Sequence, residues 1–125
     1  MPFQWNEFNN VAQFLYTHGQ TNRRLSEATY RCAISRSYYA AFHHLRIIGE
    51  RELNKKFSTG GSGTHQQVID YFSHHQDPIK QGAGGKLLEL KLKRKKSDYV
   101  DTVTILDGDA AYSMAISQRI IQTVR

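Results

Sequence analysis

In the stretch AISRSYYAAFHHL (Ala33–Leu45), Arg36 and His43 stand seven residues apart. On an α-helix that spacing is two turns, so the two side chains point within about 20° of each other. Tyr39 and Ala40 lie between them on the same stripe. The pair suits phosphate chemistry. A guanidinium is permanently charged and grips a phosphate through two parallel hydrogen bonds, whereas an imidazole exchanges a proton near neutral pH. Cleavage of RNA by its own 2′-hydroxyl needs proton removal from O2′, protonation of the leaving oxygen and charge stabilisation at phosphorus. That reaction requires neither a metal nor a cofactor. A structural reading of the same residues is also open. A buried arginine needs a carboxylate, for which Asp98 is a candidate, and His43 can bond a backbone carbonyl or a tyrosine.

Other residues carry weaker signals. His65 follows the Gly/Ser-rich KKFSTGGSG and can either reach a bound phosphate or serve as a polar residue at a helix start. Ser35 is off the Arg36–His43 stripe, so a serine nucleophile acting with His43 is not expected. His43–His44 and His74–His75 are adjacent pairs whose members diverge by about 100°, and Asp70–His74 has no evident third ligand, so no metal site is expected. GAGGKL has neither the spacing nor the preceding strand of a phosphate-binding Walker loop.

Helical periodicity positions these residues. Trp5, Phe8, Val11, Ala12, Leu15 and Tyr16 predict a first helix from about Trp5 to His18, ended by GQTNRR. Ser26 opens a very long second helix to about Leu53, with Ala28, Cys32, Arg36, Tyr39, Ala40, His43 and Ile47 as its inward stripe. THQQVIDYFSHH predicts a short third helix with Val68, Ile69 and Phe72 inward, and QDPIKQGAGG a second break. A fourth helix is expected over about Lys86–Asp101, carrying Leu87, Leu88, Leu90 and Tyr99. A brief extended segment, VTILDGD, should follow, and then a fifth helix capped by Asp107 or Asp109. These lengths and short connections predict one all-α domain over residues 1–125, an antiparallel bundle of four or five helices.

Seventeen basic against eleven acidic residues give a formal charge of +6, and KLLELKLKRKKSDY alone holds six of the cations. Lys91, Lys93, Arg94, Lys95 and Lys96 there are candidates for contact with an RNA backbone, because neutralised phosphates release counterions; a solvated helix face is the plainer reading. No apolar run reaches membrane-spanning length, and MPFQWNEFNN does not read as a secretory leader. The single cysteine, Cys32, fits a reducing cytoplasm as a small buried apolar residue.

Three segments carry a resemblance. SRSYYAAFHHL resembles the S-R-x-Y-Y-A-x-F-H signature of HEPN (higher eukaryotes and prokaryotes nucleotide-binding) domains. GTHQQVIDYF resembles that family's T-H-x-x-(V/I)-x-x-x-F segment, and LKLKRKKSDY its L-x-x-x-R-x-x-A-D-Y segment, with Ser97 in place of the alanine. The resemblance implies a HEPN-like helical bundle and a homodimer in which Arg36 and His43 of both subunits meet in a cleft. It implies a metal-independent endoribonuclease, of the toxin or defence type, neutralised by a nucleotidyltransferase-fold antitoxin. His43 would be general base or acid, Arg36 would hold the scissile phosphate, and Tyr39 would orient them or stack on a base, with Ser35, His65 and Asp98 in support. Some members have lost the nuclease, which leaves a non-catalytic module binding a nucleotide or a nucleotidyltransferase partner as the alternative.

Overall fold

The computed structural model describes residues 2–58 and 63–125. They form five packed α-helices: α1 (Glu7–Thr21), α2 (Ser26–Leu53), α3 (Gly63–Ser73), α4 (Pro78–Tyr99) and α5 (Asp107–Thr123), with a 3₁₀ turn at Arg23–Leu25 before α2. Among the described residues there is no strand, and no helix is long and apolar enough to cross a membrane.

Local chemistry sets the helix ends. The Asn22 side chain accepts from the Leu25 N–H, and the Ser26 hydroxyl donates to the carbonyls of Gly19 (2.6 Å) and Asn22 (3.0 Å), turning the chain from α1 into α2. Asn54, in the left-handed region at φ 54°, closes α2, as asparagine can at a helix C-terminus. α4 starts eight residues earlier than its apolar pattern predicts, because Asp77 accepts from the Ile79 N–H (2.9 Å) and Pro78 occupies the first helical position. The expected break at QDPIKQGAGG is therefore mostly helix. Its Gly84 lets α3 and α4 approach closely, since a Cβ there would lie 2.5 Å from the Ser73 backbone nitrogen.

α2 packs against all four other helices. One apolar cluster joins Tyr38, Phe42 and Leu45 of α2 to Val68, Ile69 and Phe72 of α3, Leu87 and Leu90 of α4, and Ile116 and Ile120 of α5. A second joins Ala12, Tyr30, Ala33 and Ile34 to Ile105, Ala110 and Met114. The stripe expected to face inward is instead the seam left between neighbouring helices. Ala28, Cys32 and Ile47 are exposed, Arg36, Tyr39 and His43 are half-buried, and of that stripe only Ala40 is buried. Leu88 and Tyr99 of α4 are likewise exposed.

The extended segment before α5 pairs with no strand. Arg31 donates to the carbonyls of Ser97 (2.8 Å), Val100 (3.0 Å) and Val103 (2.7 Å), while Glu27 accepts from the Ile105 N–H (3.0 Å) and from Arg31. Side chains of α2 thus do the work of a ladder. The Ile105 N–H, followed by Arg31, holds the Glu27 carboxyl below its usual pKa. Asp109 accepts from the Leu106 N–H (2.9 Å) at the start of α5.

Candidate functional site

Tyr39 is the hub of the polar seam. The Arg36 guanidinium carbon lies 5.8 Å from its ring centroid and that of Arg94 5.5 Å, while the rings of His43 and His65 stand 6.3 and 5.9 Å away. Arg36, Tyr39 and His43 share the seam because α2 repeats every two turns. His65 arrives from the first turn of α3 and Arg94 from α4.

Arg36 is not committed to a carboxylate. Among the described residues no carboxylate lies within ion-pair distance of it; its guanidinium rests over the Phe8 ring at 5.2 Å. Asp98 pairs instead with Arg94 (3.5 Å) and accepts from the Ser35 hydroxyl (3.4 Å), so the structural pairing of Arg36 with Asp98 does not form. Arg94 is the buried arginine, 8% exposed, with its guanidinium against Tyr38 and Tyr39 and its Nε without a partner. Ser35, Arg94 and Asp98 therefore link α2 to α4 beneath Tyr39.

His43 is tightly positioned. The Trp5 ring stacks on it with centroids 3.7 Å apart and planes 20° from parallel. Arg46, one turn on, donates from Nε to His43 Nδ1 (3.1 Å) and is itself paired with Glu50 (2.9 Å), which also accepts from the Phe57 N–H (3.1 Å). Burial, then the charge of Arg46 and the neighbouring His65, push the His43 pKa down to about 4. The ring is neutral at pH 7, and because Nδ1 accepts from Arg46, its proton sits on Nε2. In this arrangement His43 offers a hydrogen-bond donor. It can accept a proton only after Arg46 releases Nδ1.

His65 stacks on Phe42 (4.3 Å) and shares a 2.6 Å hydrogen bond through Nδ1 with the buried Tyr38 hydroxyl. Its pKa is lowered by burial and then by Arg94, Lys91 and Lys95; that of Lys91 is lowered by burial and then by Lys95 and Arg94. Lys91, Arg94 and Lys95 together give the His65 side a positive potential, which favours an anion.

The α4 cations do not form one face. Successive residues turn by about 100°, so the run is dealt around the helix. Lys91 donates to Gln66 of α3 (3.3 Å) and, with Lys95, belongs to the His65 side. Lys93 lies over the Tyr112 ring of α5 (4.9 Å), and Lys96 lines a crevice with Ile34, Ile105 and Asp109. Arg94 points inward. Of the five candidates for backbone contact, Lys91, Arg94 and Lys95 adjoin the seam, and Arg94 among them is buried.

Trp5, Phe8, Arg46 and Glu50 escaped the sequence reading as site residues. Arg46 and Glu50 were findable, since they stand at i+3 from His43 and i+4 from Arg46, spacings at which helical side chains meet. Trp5 precedes α1, and nothing local reveals that it crosses to α2. His44 faces elsewhere, its Nε2 bonded to the Val124 carbonyl (2.6 Å). Among the described residues no group of three His, Cys, Asp or Glu side chains converges as metal ligands would. A cavity of about 510 Å³ between α4 and α5 shares no residue with the seam. Comparison of the chain with family models, curated proteins and solved structures finds no match.

Proposed function

We propose that this chain is a HEPN-like endoribonuclease that cleaves RNA by attack of the 2′-hydroxyl, at a composite site formed by two copies of the seam. The observation that carries this reading is an arginine with no carboxylate partner two helical turns from a neutral histidine, both half-buried around one tyrosine. Arg36 would bind the non-bridging oxygens of the scissile phosphate and offset the charge that builds on them. A bound phosphodiester competes for Arg46 and frees the His43 ring. The imidazole then takes the O2′ proton as O2′ bonds to phosphorus and the P–O5′ bond breaks. The imidazolium so formed returns that proton to O5′ as it leaves, giving a 2′,3′-cyclic phosphate and a 5′-hydroxyl. Tyr39 keeps Arg36 and His43 apart and aligned. The family resemblance extends the proposal to a toxin or defence role in the cytoplasm, with a nucleotidyltransferase-fold antitoxin as partner.

A second reading has its own support. With Nδ1 held by Arg46 and one ring face covered by Trp5, His43 is built as a donor, which suits a module that binds RNA or a nucleotide without cutting it. The two readings part in a mixed-subunit experiment. Arg36→Ala and His43→Ala homodimers should fold yet be nearly inactive. Their heterodimer keeps one arginine and one histidine on opposite subunits and should recover part of the cleavage. Binding by wild type with no cleavage in any combination would favour the second reading.

A further inference from the structure

Three aromatic rings stand beside the seam and belong to neither apolar core. Phe3 contacts Trp5 (4.9 Å, nearly perpendicular) and Phe8 (5.6 Å), and Trp5 contacts Phe8 (5.6 Å). The cluster is built against the two groups that would face a phosphate, Trp5 on His43 and Phe8 under Arg36. Phe3 is nevertheless 55% exposed, where an apolar ring gains little from packing. A flat apolar surface next to an unpaired guanidinium matches a ligand that carries a π face and an anion one unit apart, which is a nucleotide with its base unstacked.

We infer that Phe3, supported edge-on by Trp5 and at a tilt by Phe8, is a stacking shelf for an unpaired nucleobase adjoining the phosphate held by Arg36, so that the site selects single-stranded RNA. This rests on the RNA reading above and narrows its substrate class. Bases in a duplex hide their faces in the stack, whereas bases of a single strand can be splayed onto aromatic side chains whatever their sequence. The adjacent cation argues for this occupant over an apolar partner, since Arg36 would then be covered without a counter-charge.

Trp5 is the only tryptophan in the chain, so its fluorescence reports on the shelf directly. The test titrates wild type, Phe3→Ala and Arg36→Ala with a 2′-O-methylated single-stranded oligoribonucleotide, which cannot be cleaved, and with inorganic polyphosphate, a polyanion without bases. The oligonucleotide should change Trp5 emission and bind Phe3→Ala about fivefold to a hundredfold more weakly. Polyphosphate should bind wild type and Phe3→Ala alike, and Arg36→Ala should weaken both ligands. Equal weakening of both ligands by Phe3→Ala, or no effect on the oligonucleotide, overturns the shelf while leaving the RNA reading intact. A change of oligomeric state in sedimentation of Phe3→Ala also overturns it, making the rings a subunit contact. If neither ligand binds wild type, the RNA reading falls and the shelf with it.

Discussion

Replacing Arg46 with leucine removes a positive charge and a hydrogen-bond donor from His43 while leaving the ring stacked on Trp5. Both losses favour the imidazolium. Burial comes before charge among the causes of the lowered pKa, so the value should rise from about 4 yet stay below the ordinary 6.5. A neighbouring like charge of this kind is worth about one pKa unit or somewhat more. The stability consequence has a definite sign. With a folded pKa of about 4 and an unfolded value near 6.5, the unfolded chain binds the extra proton between those limits. Stability contributed by His43 is therefore complete above about pH 6.5, falls as the pH is lowered, and stops falling near pH 4. For a fully buried ring the loss would be about 3 kcal/mol; the half-buried position reduces it to roughly 1.5 kcal/mol. Arg46→Leu should shrink that loss by narrowing the window from its acid end. The assay is the pH dependence of Trp5 fluorescence, which responds to the charge of a ring stacked at 3.7 Å, checked by histidine nitrogen shifts that identify the protonated atom. The wild type should titrate near pH 4 from a neutral ring protonated at Nε2, and Arg46→Leu should titrate higher. A wild-type value near 6.5, or one that Arg46→Leu does not move, refutes the Arg46–His43 relation.

RNA affinity should fall steeply with salt, and the double substitution Lys91→Ala with Lys95→Ala should flatten the slope of log affinity against log salt by about 0.7 per lost phosphate contact. The same change at Lys93 and Lys96 should leave the slope nearly untouched, because those side chains turn toward α5; equal effects would mean that binding uses the whole helix. Asp98→Ala leaves buried Arg94 without its carboxylate and should cost about 1–3 kcal/mol in chemical denaturation. Arg36-dependent RNA binding should survive it; selective loss of binding at unchanged stability would place Asp98 in the site itself.

How far the sequence carried the reading depended on how local each cause was. The limits of α2 were legible because Ser26 and the chain before it set one end and Asn54 the other. Periodicity gathers the polar stripe onto one line but gives it the wrong surroundings. A helix wrapped by four others buries most of its circumference, so the residues that look exceptional mark the gap between neighbours. The apolar pattern foreshortens α4 because its glycines read as a loop, while Asp77–Pro78 and the close approach at Gly84 supply reasons for helix. The commitment of Asp98 to Arg94 was hidden too, since Arg94 was one cation in a run of five and its inward direction follows from packing. The Trp5–His43 stack depends on where the segment before α1 crosses α2, which no periodicity encodes.

The central claim, that Arg36 and His43 serve cleavage by the RNA's own 2′-hydroxyl, is tested most directly at the ends of the product. A single-stranded RNA incubated with the protein in EDTA should yield fragments ending in 2′,3′-cyclic phosphate and beginning with 5′-hydroxyl. Arg36→Ala and His43→Ala, each verified as folded, should yield none above background. Fragments bearing 5′-phosphate, cleavage that stops on chelation and returns with magnesium, or undiminished cleavage by Arg36→Ala would contradict it.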